Sequence, residues 1–213
     1  DREPTCRTRA DDSSGAGSTI KLEASTWSGA NSGDNATITA GNGTNWSKGN
    51  SGSDTEITLN CSTWTGDNIG DGVTVKADKT TWTGANGGAR TNITLNNATT
   101  WTGANTGSNA TVSLTDSIWI GDNSGAGLSL TANNSKWNGS TSAAGSATLT
   151  NGSIWTGAST SGDFSLTLNG STWNNSGASS LKSFAGTNGI VDMSNAAASV
   201  TIGSYSGDAT VIY

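Results

Sequence analysis

Tryptophan recurs along this chain at an almost constant interval, and the polarity of its neighbours repeats with it. The tryptophans are Trp27, Trp46, Trp64, Trp82, Trp101, Trp119, Trp137, Trp155 and Trp173, and successive members are 18 or 19 residues apart. A fixed period of this length is typical of a repeat architecture, in which each tryptophan occupies the same point of one structural unit.

The residues around each tryptophan alternate in character. The residue two positions before it is always serine or threonine, and the residue two positions after it is usually glycine. The directly flanking residues vary, as Thr81 and Thr83 or Lys136 and Asn138 illustrate. Because alternate side chains of a strand point to opposite faces, the pattern predicts a short strand. Its hydroxyl, tryptophan and glycine positions face the core, and its flanking positions face solvent.

A second strand is predicted about eleven residues after each tryptophan, where apolar residues alternate with Thr and Ser. Its inward residues are expected to form an apolar ladder that faces the tryptophans across the interior. The ladder consists of Ile38, Ile57, Val75, Ile93, Val112, Leu130 and Leu166. Gly, Asn, Asp and Ser separate the strands and favour turns. No segment has an apolar period near 3.6, so no helix is expected.

The period favours a solenoid over a hairpin meander, although both could contain short strands. Two or three strands per 18–19-residue unit are typical of a parallel β-helix, in which stacking supplies the contacts that a single coil lacks. We predict an all-β parallel β-helix of about nine coils plus C-terminal cap-like coils. Nine coils at ~4.8 Å each would rise ~43 Å.

The tryptophans could line the core or form an exposed platform for stacking sugars. A buried tryptophan hides roughly 150–250 Å², which corresponds to roughly 4–6 kcal/mol gross per coil. Without it each coil would hold only two or three apolar groups. The packing requirement therefore favours the inward orientation.

The charge and composition of the chain limit the classes of molecule that it is expected to bind. The net charge is −6 and the chain has no basic patch, so nucleic acid and anionic membranes are not expected to bind. No apolar run is long enough to insert into a membrane. Cys6 lies in the leader and Cys61 at a turn, so a bridge would require the leader to fold back over the coils. We expect no obligate disulfide.

The sequence contains few of the residue groupings that catalysis requires. The chain has no histidine, and Asp67 and Asp122 do not form a column of neighbouring carboxylates. We therefore predict no catalytic residue, no metal and no cofactor. The segment 66–72, Gly-Asp-Asn-Ile-Gly-Asp-Gly, loosely resembles a calcium-binding loop. A solvated turn is the favoured interpretation, because turns are rich in the same residues.

Pairs of threonines flank three successive tryptophans: Thr63/Thr65, Thr81/Thr83 and Thr100/Thr102. A Thr-X-Thr array is also the pattern of β-helical ice-binding proteins. Here Asn45/Ser47, Ile118/Ile120 and Lys136/Asn138 interrupt it. The favoured interpretation is that threonine is simply a good exposed strand residue. A Thr/Asn surface could also form hydrogen bonds with a second copy of the chain or with glycans.

Three regions are distinguished by the repeat. Residues 1–17 form a non-repetitive leader, residues 18–180 carry the β-helix repeats, and residues 181–213 break the register. The chain begins and ends in a way that suggests a piece of a longer protein.

The repeats, of the form Ser-Thr-Trp-Thr-Gly-Ala-Asn, resemble those of pertactin-like passenger domains of type V autotransporters. The period is similar to that of the AIDA and self-associating branch. The C-terminal part resembles the start of the autochaperone region of those passengers. That part runs from Ser171-Thr172-Trp173-Asn174 through Asn188-Gly189-Ile190-Val191-Asp192 to Tyr205-Ser206-Gly207. The resemblance covers about residues 18–213.

The resemblance implies a right-handed β-helix displayed on a Gram-negative cell surface after export across the outer membrane. It implies a non-enzymatic adhesin in cell adhesion, self-aggregation or biofilm formation. The partner would be the same chain on a neighbouring cell, or a host surface protein or glycan. The alternatives are a passive stem for an upstream effector domain and a glycan-binding module.

Overall fold

The computed structural model describes residues 7–213, and it winds them into about eleven stacked turns with no helix. The predicted all-β solenoid with coils of about 18 residues is therefore confirmed. Every strand pair is parallel, and each strand pairs with its equivalents in the coils before and after it. Cys6 lies outside the described residues, so the prediction about its pairing with Cys61 stays a prediction.

Two parallel sheets form the sides of the solenoid. The tryptophan sheet has twelve strands within the described residues: β1 (Arg7–Arg9), β3 (Ser25–Trp27), β5 (Asn45–Trp46), β7 (Thr63–Thr65), β9 (Thr81–Thr83), β11 (Thr100–Thr102), β13 (Ile118–Ile120), β15 (Lys136–Asn138), β17 (Ile154–Gly157), β19 (Thr172–Asn175), β21 (Ile190–Asp192) and β23 (Thr210–Ile212). The broad sheet has eleven strands there: β2 (Thr19–Glu23), β4 (Thr37–Gly41), β6 (Glu56–Asn60), β8 (Thr74–Asp78), β10 (Asn92–Asn96), β12 (Thr111–Thr115), β14 (Leu128–Asn133), β16 (Gly145–Thr150), β18 (Phe164–Asn169), β20 (Ala178–Thr187) and β22 (Ser199–Gly207).

The tryptophans fill the interior, as predicted. All nine are 0% exposed. Neighbouring rings stack with centroids 4.7–5.1 Å apart, which confirms the expected rise per coil. Their planes differ by only 5–7° from Trp46 to Trp155, so successive coils hardly rotate. Flat sheets of this kind are unusual and depend on stacked side-chain ladders.

The predicted apolar ladder faces the tryptophans from the broad sheet. Each member pairs with its equivalent in the next coil, and Ala147 fills the place between Leu130 and Leu166. Phe184 and Tyr205 continue the ladder into the last two coils. At the tryptophan position these coils carry Val191 and Val211, which pair in the same register. Residues 181–213 therefore extend the same solenoid.

The glycine found two residues after seven of the nine tryptophans makes room for a hydrogen bond between coils. The indole N–H of Trp101 donates to the Gly84 carbonyl oxygen at 2.8 Å, and that of Trp119 donates to the Gly103 oxygen at 2.9 Å. A Cβ added to Gly103 would lie 1.9 Å from the Gly84 oxygen. Glycine is required here because of this contact between neighbouring backbones.

The hydroxyl two residues before each tryptophan is buried, and in most coils it bonds locally. Thr80, Ser117 and Ser135 donate to the backbone carbonyl two residues earlier, at 2.7–2.9 Å. The hydroxyl thereby satisfies its own hydrogen-bonding capacity at the corner that precedes the strand. This bond explains why the sequence restricts the position to serine and threonine.

A left-handed residue ends each broad-sheet strand from β2 to β20. The residues are Ala24, Asn42, Cys61, Lys79, Asn97, Asp116, Asn134, Asn151, Gly170 and Asn188, with φ of 45–59°. In the two 19-residue intervals one extra residue, Gly43 or Ala98, follows this corner. The insertion leaves the two strands of the coil in register with their neighbours, so the variation in period is absorbed at the corner.

Asparagines form a buried ladder along the third side of the coils. They are Asn31, Asn50, Asn68, Asn86, Asn105 and Asn123, joined by isolated parallel bridges. Each side-chain amide donates to the side-chain oxygen of the next member at 2.6–2.9 Å, and Asn123 donates to the Thr141 hydroxyl. Because every bond runs in one direction, the Oδ1 of Asn31 is buried without a donor.

We expect Gly103→Ala to destabilise the solenoid by about 3 kcal/mol, because the new methyl group would overlap a backbone carbonyl. Thermal and urea unfolding would measure the effect. Gly87→Ala is the matched control, since its Cβ would meet nothing closer than 3.6 Å. The control should be neutral or stabilising by up to about 1 kcal/mol. Equal effects at the two sites would contradict the role assigned to Gly103.

We expect Ser13→Asn to stabilise the protein by about 1 kcal/mol, because a buried acceptor would gain a donor. Ser13 is buried and bridges Asn31 in the parallel register, so its replacement would extend the ladder by one member. The neighbouring exposed Ser14→Asn serves as control and should leave the melting temperature unchanged. An equal gain from both substitutions would argue against the ladder as its source.

Candidate interaction surface

The outward side of the broad sheet carries neither charge nor apolar side chains over five successive strands, β10 to β18. Its outward residues are Asn92, Thr94, Asn96, Thr111, Ser113, Thr115, Ser129, Thr131, Asn133, Ser146, Thr148, Thr150, Ser165, Thr167 and Asn169. We call this surface the uncharged face. It presents only hydroxyls and amides to solvent, at exposed or half-buried positions.

The middle row of the uncharged face is in strict register. Thr94, Ser113, Thr131, Thr148 and Thr167 pair in sequence from strand to strand. Within residues 7–213 their hydroxyls form no hydrogen bond to the protein, unlike the buried hydroxyls before the tryptophans. The middle row is therefore available to water or to a partner.

The earlier strands of the same sheet differ, because they carry charge on their outward side. Lys21 and Glu23 lie on β2, and Lys76 on β8 forms an ion pair of 2.6 Å with Glu56 on β6. Both partners are about half exposed, so the pair contributes little to stability. The uncharged face begins where these charged residues end.

Charges elsewhere in the C-terminal half lie off the uncharged face. Asp192, for example, is on the tryptophan sheet. There the hydroxyl and backbone N–H of Ser194 donate to its carboxylate and hold its pKa below the usual value. This carboxylate is therefore ionised near neutral pH but does not place charge on the uncharged face.

The threonine pairs predicted from the sequence lie on the outer side of the tryptophan sheet. Thr63, Thr81 and Thr100 form one column, and Thr65, Thr83 and Thr102 form the other. We call these six residues the threonine face. All are exposed except Thr100, which is half-buried. The predicted outward orientation on three successive coils is confirmed.

The acidic side chains of the segment 66–72 bond to the next coil. Asp67 accepts a hydrogen bond from the backbone N–H of Ala85 at 2.7 Å, and Asp71 from that of Ala89 at 2.8 Å. Asn68 lies between them in the buried ladder. No three His, Cys, Asp or Glu side chains within residues 7–213 form a group suited to a metal ion.

Asp122 has the same structural role as Asp67. Its carboxylate accepts the backbone N–H of Ser140, in the next coil, at 2.7 Å. Two coils separate the aspartates, with Ala85 and Ala104 at the equivalent place. The carboxylates therefore act singly as caps for backbone donors, and the geometry does not pair them for acid–base chemistry.

Sequence reasoning identified the threonine face but missed the uncharged face. The inward apolar residues of the second strand predict how that strand packs. The uncharged face is formed by the outward residues that alternate with them. Between Asn92 and Asn169 every outward residue of the broad sheet's strands is Ser, Thr or Asn. The role of the asparagine ladder was also missed, although an asparagine follows each of the first six tryptophans at the same distance.

No protein-family model matches the chain, and no curated protein or solved structure matches it either. The resemblance to autotransporter passengers therefore depends on the sequence motifs alone. The described residues contain no helix long and apolar enough to cross a membrane.

Proposed function

We propose that this chain belongs to the passenger of a type V autotransporter and acts as an adhesin on the bacterial surface. Its function is cell adhesion, self-aggregation or biofilm formation. The resemblance of the repeats and of residues 181–213 to such passengers supports this assignment. The observation that carries it is the uncharged face, a long and regular surface whose middle row forms no hydrogen bond within residues 7–213 and is available for contact between copies.

A second copy suits this face because its geometry repeats with the same rise. Five strands at ~4.8 Å span roughly 20 Å, and two such faces can align row against row over this length. Each hydrogen bond contributes only about 1 kcal/mol net, since water competes for the same groups. These weak contacts add up because many rows are in register and many molecules lie on facing cells, so that the overall attachment is strong.

The absence of charge from this face also favours self-contact. The net charge of the chain is −6, so two copies repel each other in most orientations. Contact through the strands of the uncharged face buries no ion, because their outward residues are all Ser, Thr or Asn. Removing a charge from water would otherwise cost several kcal/mol.

An aromatic platform for sugars is not part of this proposal, because every tryptophan is buried in the stack. The indoles have both faces covered by their neighbours and their N–H groups bonded to backbone carbonyls. A sugar could reach none of them without opening the coils.

We expect the wild-type chain to associate with increasing concentration and Thr131→Glu to remain monomeric. The substitution places a carboxylate at the centre of the middle row, where a facing copy would have to bury it. Sedimentation velocity over a wide concentration series would measure the association.

The matched control is Thr58→Glu, in the same row of the broad sheet but outside the uncharged face. Thr58 pairs with Lys76, so the new carboxylate has a cation beside it. This variant should associate like the wild type. A wild-type chain that stays monomeric at all concentrations would contradict self-association, and equal loss in both variants would contradict the assignment to this face.

A further inference from the structure

The threonine face is an ordered two-column array on a flat support. The tryptophan stack beneath it keeps neighbouring coils 4.7 Å apart and within 5–7° of parallel from Trp64 to Trp119. Along each strand the two columns are two residues apart, which is roughly 6.6 Å. The array therefore repeats in two dimensions with little twist.

The side chains of this array are held with little freedom. Threonine is β-branched, so its χ1 angle is restricted, and each residue lies on a strand paired on both sides. Within residues 7–213 the six hydroxyls form no hydrogen bond to the protein. A surface that binds through them would therefore cost little side-chain entropy and would break no internal bond.

The coils on the N-terminal side extend the array with small polar residues. Thr26 and Ser28 precede it, followed by Asn45 and Ser47. No charged side chain occupies either column from Thr26 to Thr102. The columns end at β13, where Ile118 and Ile120 take their places.

We propose that the threonine face binds the surface of ice. Hexagonal ice is an uncharged solid whose oxygen lattice repeats along one axis at nearly the coil spacing. Along a second axis it repeats at a distance close to two strand residues. A rigid array with both repeats can hold water at lattice positions, with hydroxyls as hydrogen-bonding groups and methyl groups filling the spaces between them.

Ice fits this face better than a soluble ligand does. The face has no exposed aromatic ring, and the groove that borders it at Ser47 and Thr65 is lined mainly by the neighbouring turns. Each isolated hydroxyl contact is weak in water. A crystal differs because it presents all of its binding positions at once, at fixed distances. The regularity of the threonine face is useful only to a partner that is equally regular.

This inference is independent of the proposed adhesive function, because it concerns the opposite sheet. It therefore predicts that Thr131→Glu, which disrupts the uncharged face, retains the effect on ice. A chain that does not bind ice could still self-associate through the uncharged face. A chain that does not self-associate could still bind ice through the threonine face.

Ice recrystallisation in a frozen sucrose solution tests the proposal, together with capture of the protein into a slowly growing ice hemisphere. The wild-type chain should keep ice crystals small and should enter the ice. Thr83→Lys, which places a long cation in the centre of the array, should abolish both effects. Thr83→Val, which keeps the shape but removes the hydroxyl, should weaken them.

Thr37→Lys is the matched control, because it makes the same change at an exposed threonine of the broad sheet, beside Glu56. It should behave like the wild type, and all variants should keep the wild-type melting temperature. A wild-type chain that leaves crystal growth unchanged would overturn the proposal. So would an equal effect of both lysine variants, or binding to microcrystalline cellulose without any effect on ice.

Discussion

The hydrogen bond from each indole N–H to the carbonyl of the preceding coil determines the geometry of this solenoid. The bond from Trp101 to Gly84 is one instance of an arrangement found at every tryptophan. It positions each ring over the last and brings the two backbones so close that seven of the nine coils have glycine two residues after the tryptophan; Lys48 and Asn175 occupy the position in the other two. The flatness of the sheets and the register of every outward row follow from this contact.

The interior is unusual in combining a continuous aromatic stack with a continuous polar ladder. Buried amides are costly when they lack partners, but here each asparagine finds a donor or acceptor in an identical residue of a neighbouring coil. Because the core positions satisfy one another by repetition, the outward positions are free to vary. This freedom explains how one chain can carry a charged region, an uncharged face and a threonine face on one scaffold.

Much of the fold could be predicted from the sequence because the period itself encodes it. The tryptophan interval, the alternation around it and the apolar residues of the second strand identified both sheets and their inward sides.

The corner insertions at Gly43 and Ala98 could not be placed, since one extra residue in 19 leaves no local signal of where the backbone turns left-handed. The direction of the asparagine ladder likewise depends on side-chain orientation, which spacing does not reveal. Of the two outward surfaces, the threonine pairs were visible beside the tryptophans, whereas the uncharged face required knowing which residues of the broad sheet point outward.

The tryptophan stack also makes the molecule a row of nearly identical chromophores. Neighbouring rings lie 4.7–5.1 Å apart and within 14° of parallel, with each indole held in the same way by its backbone acceptor. Excitation energy can therefore pass from ring to ring without much change in the direction of its transition dipole. Ultraviolet emission from the rod should retain polarisation even after many transfers, so that the light reports the tumbling of the whole solenoid and not the motion of single side chains.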